Sequence, residues 1–438
     1  MTRTTLEGQK LKRDLAARIQ KHRQELFDWA LKGARQAPPP FYCSVDLRDS
    51  GYKIAPVDSN LYPAGFNNLC PDDQRSAAPI FRAQLATYAS RLGMPREPQK
   101  ILILPEAHTS NVWYLENLHY LQSILETAGF EVCLGWWSGS AQPENNQPLE
   151  LESATQKKLR LVPIQIQDGT LSAQGFVPDL ILLNNDFSSG YPKLLDSVRQ
   201  PILPSHTLGW HSRKKSTHFV HYNRLAGEFA QIIGIDPWII QVETEAVDEV
   251  NFNEDLGLDR VAASVERVLS KTRHAFEERG LQQEPFAFVK NNAGTYGMGI
   301  LVAHSAQEIL ALNRRAKNKM SVGKNKRLIE SVAVQEGIPT ATLVGRLAAE
   351  PVIYLVGTEL IGGFLRTNTE RGVEDNLNSQ GMVFRKLCMT DLRRAALDDE
   401  PSVPAETAED EEPVLELVYG SIARISALAT GLEQAERR

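Results

Sequence analysis

The run FVKNNAGTYGMGI, residues 288–300, ends an apolar stretch on Lys290 and then places Gly294, Gly297 and Gly299 close behind it. A strand that delivers an ammonium group and passes into backbone free of side chains suits the binding of phosphate. Backbone N–H groups and a cation can then approach the same oxygens unobstructed. Thr295 would add a hydroxyl donor. Two other phosphate devices fail on order. A P-loop needs its lysine after the glycines, and a dinucleotide fingerprint needs GxGxxG with an acidic residue about 20 positions on. The spacing here is GxxGxG. Alone, the segment also fits a glycine-rich hairpin with a surface lysine.

Further polar residues stand at strand ends. SVAVQEGIPT closes an apolar run on Gln335 and Glu336, a place for a backbone hinge to meet an adenine edge. EPVIYLVGTELIGGFLRTN reads as strand–turn–strand and delivers Arg366, and RGVEDNLNSQG supplies Arg371, Asn376 and Asn378. No Ser/His/Asp or Cys/His set stands out, and the histidines include no HExxH. His211, His218 and His221 come nearest to a cluster. With no carboxylate at matching spacing, they are expected in structural or surface roles.

The elements around these residues predict an α/β protein. Residues 8–32 carry Leu11, Leu15, Ile19, Leu26 and Ala30 at helical spacing, and QAPPP stops that helix. Residues 44–69 are too rich in Gly, Pro, Asp and Asn for a regular element, yet hold many apolar anchors, so an ordered functional loop is expected. KILILPE (100–106), a helix over 111–129, FEVCLGWW (130–137) and PDLILLNND (178–186) predict a parallel sheet with helical crossovers. Ligands of such sheets sit beyond the carboxyl ends of the strands, which points to PEAHTSN and NNDFSSG as one rim of a cleft. Helices are expected over 260–280 and near 305–317. A last helix at about 414–435 follows an acidic stretch (398–413) whose composition predicts disorder.

The 438 residues are 42% hydrophobic and 23% charged, with a net charge of −6, which gives no overall pull toward nucleic acid or anionic membrane. The start lacks the apolar core of a signal peptide, and no uninterrupted apolar run approaches the roughly 18–20 residues of a membrane span. Four scattered cysteines without a CxxC argue against a disulfide scaffold and fit a reducing cytoplasm. The stretch 313–327 holds seven basic residues and no acid, but no aromatic for base stacking. A solvated face is expected there, with steering of an anionic ligand as a further use.

The sequence of motifs resembles the ATP-grasp superfamily of carboxylate–amine ligases. In that superfamily a lysine strand with a glycine flap, a QE hinge, an arginine-bearing strand pair and an RG…NL…G segment surround ATP. More narrowly, SVDLRDSGYKIAPVDSNLYPAGFNNL, FVKNNAGTYGMGI, AVQEGIPT and EPVIYLVG…GGFLR are similar to the proteobacterial family of glutamate–cysteine ligases, over about 41–390. The resemblance implies an ATP-grasp fold preceded by a Rossmann-like α/β domain, with N- and C-terminal helices. The expected division is a helix at 1–40, an α/β domain at 41–205, an ATP-grasp domain at 206–396, a linker at 397–413 and a helix at 414–438.

The same resemblance implies ATP-dependent joining of the glutamate γ-carboxylate to the cysteine amine through an acyl phosphate, with ATP and Mg²⁺. Lys290 and Arg366 would be catalytic. Gly294, Thr295, Gly297, Gly299, Gln335, Glu336, Arg371 and either Lys214 or Lys215 would hold nucleotide. An amino-acid substrate needs a cation and an anion, which Arg48, Lys53, Asp58, Asn60, Asn67 and Asn68 could supply, Arg48 by a two-bond grip on carboxylate. The ExN pair that binds magnesium in other ATP-grasp enzymes is missing, leaving Glu350, Glu359, Asn376 and Asn378 as metal candidates. Expected partners are small molecules, with neither nucleic acid nor membrane; a homo-oligomer is compatible with the sequence. Alternatives are another ATP-grasp ligase, such as a glutathione-synthetase-like one, and, more distantly, a nucleic-acid-binding protein using 313–327.

Overall fold

The segment expected to be a loop folds as two strands. Tyr42–Asp49 and Ile54–Asn60 pair antiparallel. Val45 and Leu47 alternate with Ser44, Asp46 and Arg48, a period of two that puts one set into an apolar core and the other on the opposite face. The expectation failed because it weighed composition over alternation. The computed structural model describes residues 2–3, 6–106, 110–137, 147–187, 190–294, 299–321, 323, 328–387 and 414–437. Thr295, Gly297 and the acidic linker 398–413 lie outside those residues.

Three sheets organise this mixed α/β fold. The expected parallel sheet is present, in the order Ile202–Leu203, Leu180–Asn184, Lys100–Pro105, Glu131–Trp136 and Lys158–Gln167. Leu149–Glu152 closes that order antiparallel on Lys158–Gln167, and Thr170–Ala173 also pairs with Lys158–Gln167 antiparallel. A second sheet of four antiparallel strands runs Thr244–Asp248, Ser331–Glu336, Ala287–Asn291, Ile300–Ala303. A third, of seven antiparallel strands, is built on Leu347–Val356, Glu359–Asn368 and Met382–Leu387. Tyr42–Asp49 joins it by pairing with Leu347–Val356. The polar strand pair of residues 42–60 therefore belongs to a sheet made mostly of residues beyond 340, not to the parallel sheet that follows it in sequence.

Helices close the layers. Leu258–Glu278 covers the four-stranded sheet with Val261, Val265 and Val268 against Val289, Val332 and Val334. The helix expected over 8–32 is two, Leu6–Lys21 and Arg23–Gln36, separated at His22, and the one near 305–317 is likewise two, Ala306–Leu310 and Arg314–Ser321. The last helix, Val414–Ala435, is long and apolar enough to cross a membrane by composition, yet 72% of its most apolar window is buried in the protein. It packs with the two N-terminal helices and Lys215–Ile233 against Cys43, Val45, Leu47, Ile353 and Leu355. Cys43 and Cys133 are free thiols, whereas Cys70 is disulfide-bonded, against the expectation from scattered cysteines.

Buried charge fixes the last helix in place. Glu433 accepts from Arg213 Nε at 3.0 Å and Nη2 at 3.0 Å, and His218 donates to or accepts from Ser426 Oγ at 3.1 Å. Asp49 takes both Lys12 Nζ and Tyr419 Oη at 2.7 Å, tying first and last helices to one strand end. Burial alone would raise the Glu433 carboxyl, but Arg213 and His218 hold it down at about 2. The stabilisation is therefore complete above the ordinary value of 4.5 and is lost as pH falls toward about 2. Glu433→Gln should destabilise the full chain by about 3–5 kcal/mol at neutral pH, because Arg213 is left buried and uncompensated. In urea titrations the gap to wild type should narrow below pH 4.5; a pH-independent gap would contradict this assignment.

Candidate functional site

An open cavity lies between the four-stranded and seven-stranded sheets. The first wall comes from Ala287–Asn291, whose alternation sends Ala287 and Val289 into the core and Phe288 and Lys290 into the cavity. Phe288 pairs with Gln335 on the neighbouring strand, so Gln335 shares that face. Lys290 Nζ donates to Gln335 Oε1 at 2.7 Å and to Val57 O at 3.2 Å. Burial pushes the Lys290 ammonium down to about 7; Asp58 opposes that fall, and Lys215 and Arg48 add to it. The strand then passes into Gly294, which also lines the cavity. Gly299 has φ of +63°, a backbone conformation that favours glycine, and its carbonyl accepts from Asn291 N–H at 2.8 Å.

The facing wall is a buried ionic network set by strand register. Glu350 lies opposite Arg366, Val352 opposite Asp46, and Asp46 opposite Asp58. Arg366 Nη1 donates to Asp46 Oδ2 and to Glu350 Oε1, each at 2.7 Å, and Arg48 Nε meets Glu350 Oε2 at 2.7 Å. Burial alone would raise Glu350, but the Arg48 and Arg366 guanidinium groups hold it below the usual carboxylate range. Burial opposes the Arg366 charge, yet Asp46 and Glu350 raise its pKa and keep it ionised. Lys215, at the start of its helix, holds Asp58. Two buried polar atoms of this wall, Asp46 Oδ1 and Arg366 Nε, have no hydrogen-bond partner among the described residues.

Lys290, Gly294, Arg366, Lys215, Arg48, Asp58, Glu350, Asn376 and Asn378 line the cavity. The other candidates fall elsewhere. Lys214 is on the surface with Asp248 at 2.9 Å, so Lys215 is the one of the two that faces inward. Gln335 and Glu336 do not line the cavity: Gln335 bridges Lys290 and Thr244, and Glu336 pairs with Lys53 and accepts from Glu243 N–H. Lys53 is itself buried in that pair beneath the Trp238 ring, away from the lining. Asn60 ends its strand, and Asn67 and Asn68 sit in a short turn bonded to each other. Arg371 is exposed and reaches Ser379 Oγ, and Gly299 does not line the cavity. Glu359 is exposed at the other end of the Arg366 strand, seven residues or roughly 23 Å along it.

Two corrections concern the lining residues. The Arg48 fork is already filled: beyond Glu350, Nη1 donates to Val373 O at 3.0 Å and Nη2 to Asp375 O at 2.6 Å. Its geometry is that of a brace holding the loop that carries Asn376 and Asn378. Both Glu350 oxygens are likewise engaged by arginine, which weakens it as a metal ligand. Among the described residues, no group of three or more His, Cys, Asp or Glu is placed to hold a metal ion. Asp46 was missed in the sequence. The available signal was its place two residues before Arg48 in an alternating strand. Of the rim expected beyond the parallel strands, Asn184 is buried and bound to Tyr42, Pro63 and Asn117, and residues 107–109 and 188–189 lie outside the described residues. The three histidines are structural: His218 and His221 meet the last helix and its end, and His211 bonds Phe187 O.

As a brace, Arg48 holds the loop by two of its carbonyls, so Arg48→Ala should lower the denaturation midpoint; an unchanged midpoint would contradict the assignment.

The glutamate–cysteine ligase family model, GshA, matches residues 16–434. A crystal structure of a protein from Methylobacillus flagellatus KT, provisionally assigned as a gamma-glutamylcysteine synthetase, is similar over 100% of this chain and 99% of its own. The two are 35% identical, with a TM-score of 0.85. No curated protein matches. The chain thus belongs to the glutamate–cysteine ligase family, ATP-dependent enzymes that join glutamate to cysteine in the first step of glutathione synthesis.

Proposed function

We propose that the cavity between the two antiparallel sheets is where this ligation occurs, within an ATP-grasp arrangement whose Rossmann-like partner is the parallel-sheet region. Hydroxide is too poor a leaving group for a carboxylate to condense with an amine in water. Phosphoryl transfer from ATP to the glutamate γ-carboxylate removes that obstacle, and it asks of the protein mainly position and positive charge. The observation that carries the reading is the lining itself: Lys290 and Arg366 enter one cavity from facing sheets, beside Lys215 and Gly294.

In this reading Lys290 and Arg366 neutralise charge developing on the transferred phosphoryl group, Lys215 meets the nucleotide phosphates, and the glycine flap excludes water. Magnesium keeps several waters and needs only one or two protein oxygens besides phosphate. The oxygen donors Asn376 and Asn378 suit such a partial shell, consistent with a metal carried largely by the nucleotide. The domain limits are retained except that residues 42–60 are grouped with the ATP-grasp sheet they pair with. The basic stretch at 313–327 is assigned to steering of anionic ATP rather than to nucleic acid. Lys317 is paired with Asp255, and Lys319 stands near Arg371 and Asp375, toward the loop bearing Asn376 and Asn378. A cytoplasmic enzyme acting on small molecules is the corresponding setting.

Purified protein with Mg-ATP and glutamate should release ADP fastest when cysteine is added; equal rates with unrelated amines would broaden the substrate class. Lys290→Ala should lower kcat by ~10²–10³, the usual cost of one aimed donor at developing charge, and turnover near wild type would refute the role. A pKa of about 7 adds a second test. Above that pH the free enzyme holds Lys290 mostly neutral, and phosphate raises its affinity for a proton. ATP binding at alkaline pH should therefore take up close to one proton, and affinity should fall as pH rises through about 7. Calorimetry in buffers of different ionisation heat measures the uptake, which Lys290→Met should abolish.

A further inference from the structure

We propose that Asp46 is the base that removes the proton from the attacking cysteine amine. The inference rests on the acyl-phosphate reading above and assigns a step that Lys290 and Arg366 leave open. An amino acid arrives as an ammonium, whose nitrogen has no free electron pair. Something beside the activated carboxylate must accept its proton.

Three carboxylates line the cavity. Both oxygens of Glu350 are held by arginine. Asp58 takes the Lys215 ammonium and the Ser59 N–H on Oδ1 alone, but although burial raises its carboxyl, Lys215 holds it below the ordinary range and makes it the poorer proton acceptor. Asp46 differs. It is 5% exposed, its Oδ2 takes Arg366 at 2.7 Å, and its Oδ1 is buried with no hydrogen-bond partner among the described residues. An unmatched carboxylate oxygen costs free energy in a folded protein unless something else occupies it. What Oδ1 lacks is an N–H donor, and a substrate ammonium brings one. Strand register fixes the position, since Asp46 lies opposite Asp58 on one neighbour and opposite Val352, two residues from Glu350, on the other. The base is thus bonded directly to Arg366, a group proposed to steady the phosphoryl transfer.

Protonation chemistry supports the assignment. Burial raises the Asp46 carboxyl, Arg366 opposes, and Glu350 and Asp58 raise it further, leaving it above the ordinary range and a better proton acceptor. In the step itself, one N–H proton passes to Asp46 Oδ1. The freed electron pair on nitrogen forms the bond to the acyl carbon, and as the C–O bond to phosphate breaks the departing phosphate takes the second N–H proton, leaving the neutral amide and hydrogen phosphate. The proton on Asp46 then leaves to solvent as the product departs.

Hydroxylamine separates this role from support of Arg366, because it is uncharged at neutral pH and captures an acyl phosphate without a base. Asp46→Asn should lower γ-glutamylcysteine formation by about 10²–10⁴-fold, the range for losing a positioned base. The same variant should form γ-glutamylhydroxamate from ATP, glutamate and hydroxylamine within about threefold of wild type, which also reports that it has folded. Asp46→Glu should recover part of the cysteine activity. Equal loss with both nucleophiles, or a loss reversed by raising Mg²⁺, would overturn the proposal in favour of a structural or metal-binding carboxylate. Unchanged cysteine ligation would overturn it as well. Absence of hydroxamate with the wild-type enzyme would instead remove the acyl phosphate, and the parent reading would fail first.

Discussion

Four cations and three carboxylates share the wall of one cavity: Arg48, Lys215, Lys290 and Arg366 with Asp46, Asp58 and Glu350. Charges withdrawn from water are tolerated only when paired and hydrogen-bonded, and removing one partner is far more costly than the pair is worth. This constraint shapes what surrounds it. Arg366 binds two carboxylates from two other strands, Arg48 binds Glu350 and two loop carbonyls, and Lys215 closes over Asp58 from a helix start. The sheets cannot slide without separating opposite charges. Even a one-residue slip of any strand would turn its charged residue into the apolar core.

The network is nearly, but not fully, satisfied. Its bare atoms, Asp46 Oδ1 and Arg366 Nε, are one acceptor and one donor on residues that already bond each other. Lys290 across the cavity is in a comparable position, since its burial lowers the proton affinity that a phosphate would restore. A site with these properties favours a ligand that brings both phosphate and ammonium. That is the combination an ATP-dependent carboxylate–amine ligase handles.

The last helix shows how distant sequence supports the same site. Glu433 holds Arg213, which in turn donates to Ser59 O at 3.1 Å, next to Asp58. Tyr419 and Lys12 share Asp49, at the end of the strand that carries Asp46 and Arg48. Both chain termini therefore brace the strand pair that forms one wall of the cavity. A helix that reads as an appendage behind an acidic linker is part of the core.

Strand alternation, helix periodicity and the lysine–glycine run were legible in the sequence because each is a local property, fixed by the geometry of a few neighbouring residues. They gave the α/β class, the parallel strands, Lys290 and Arg366. Pairing across hundreds of residues is not local. Only the tertiary structure brought Tyr42–Asp49 beside Leu347–Val356, and that single juxtaposition redirected the polar residues of 44–69. It turned Arg48 into a brace, buried Lys53 against Glu336, left Asn60, Asn67 and Asn68 outside the lining, and brought forward Asp46. A charged residue type states what a side chain can bind; which partner reaches it first depends on the strand folded against it, and one sequence read in order does not contain that information in visible form.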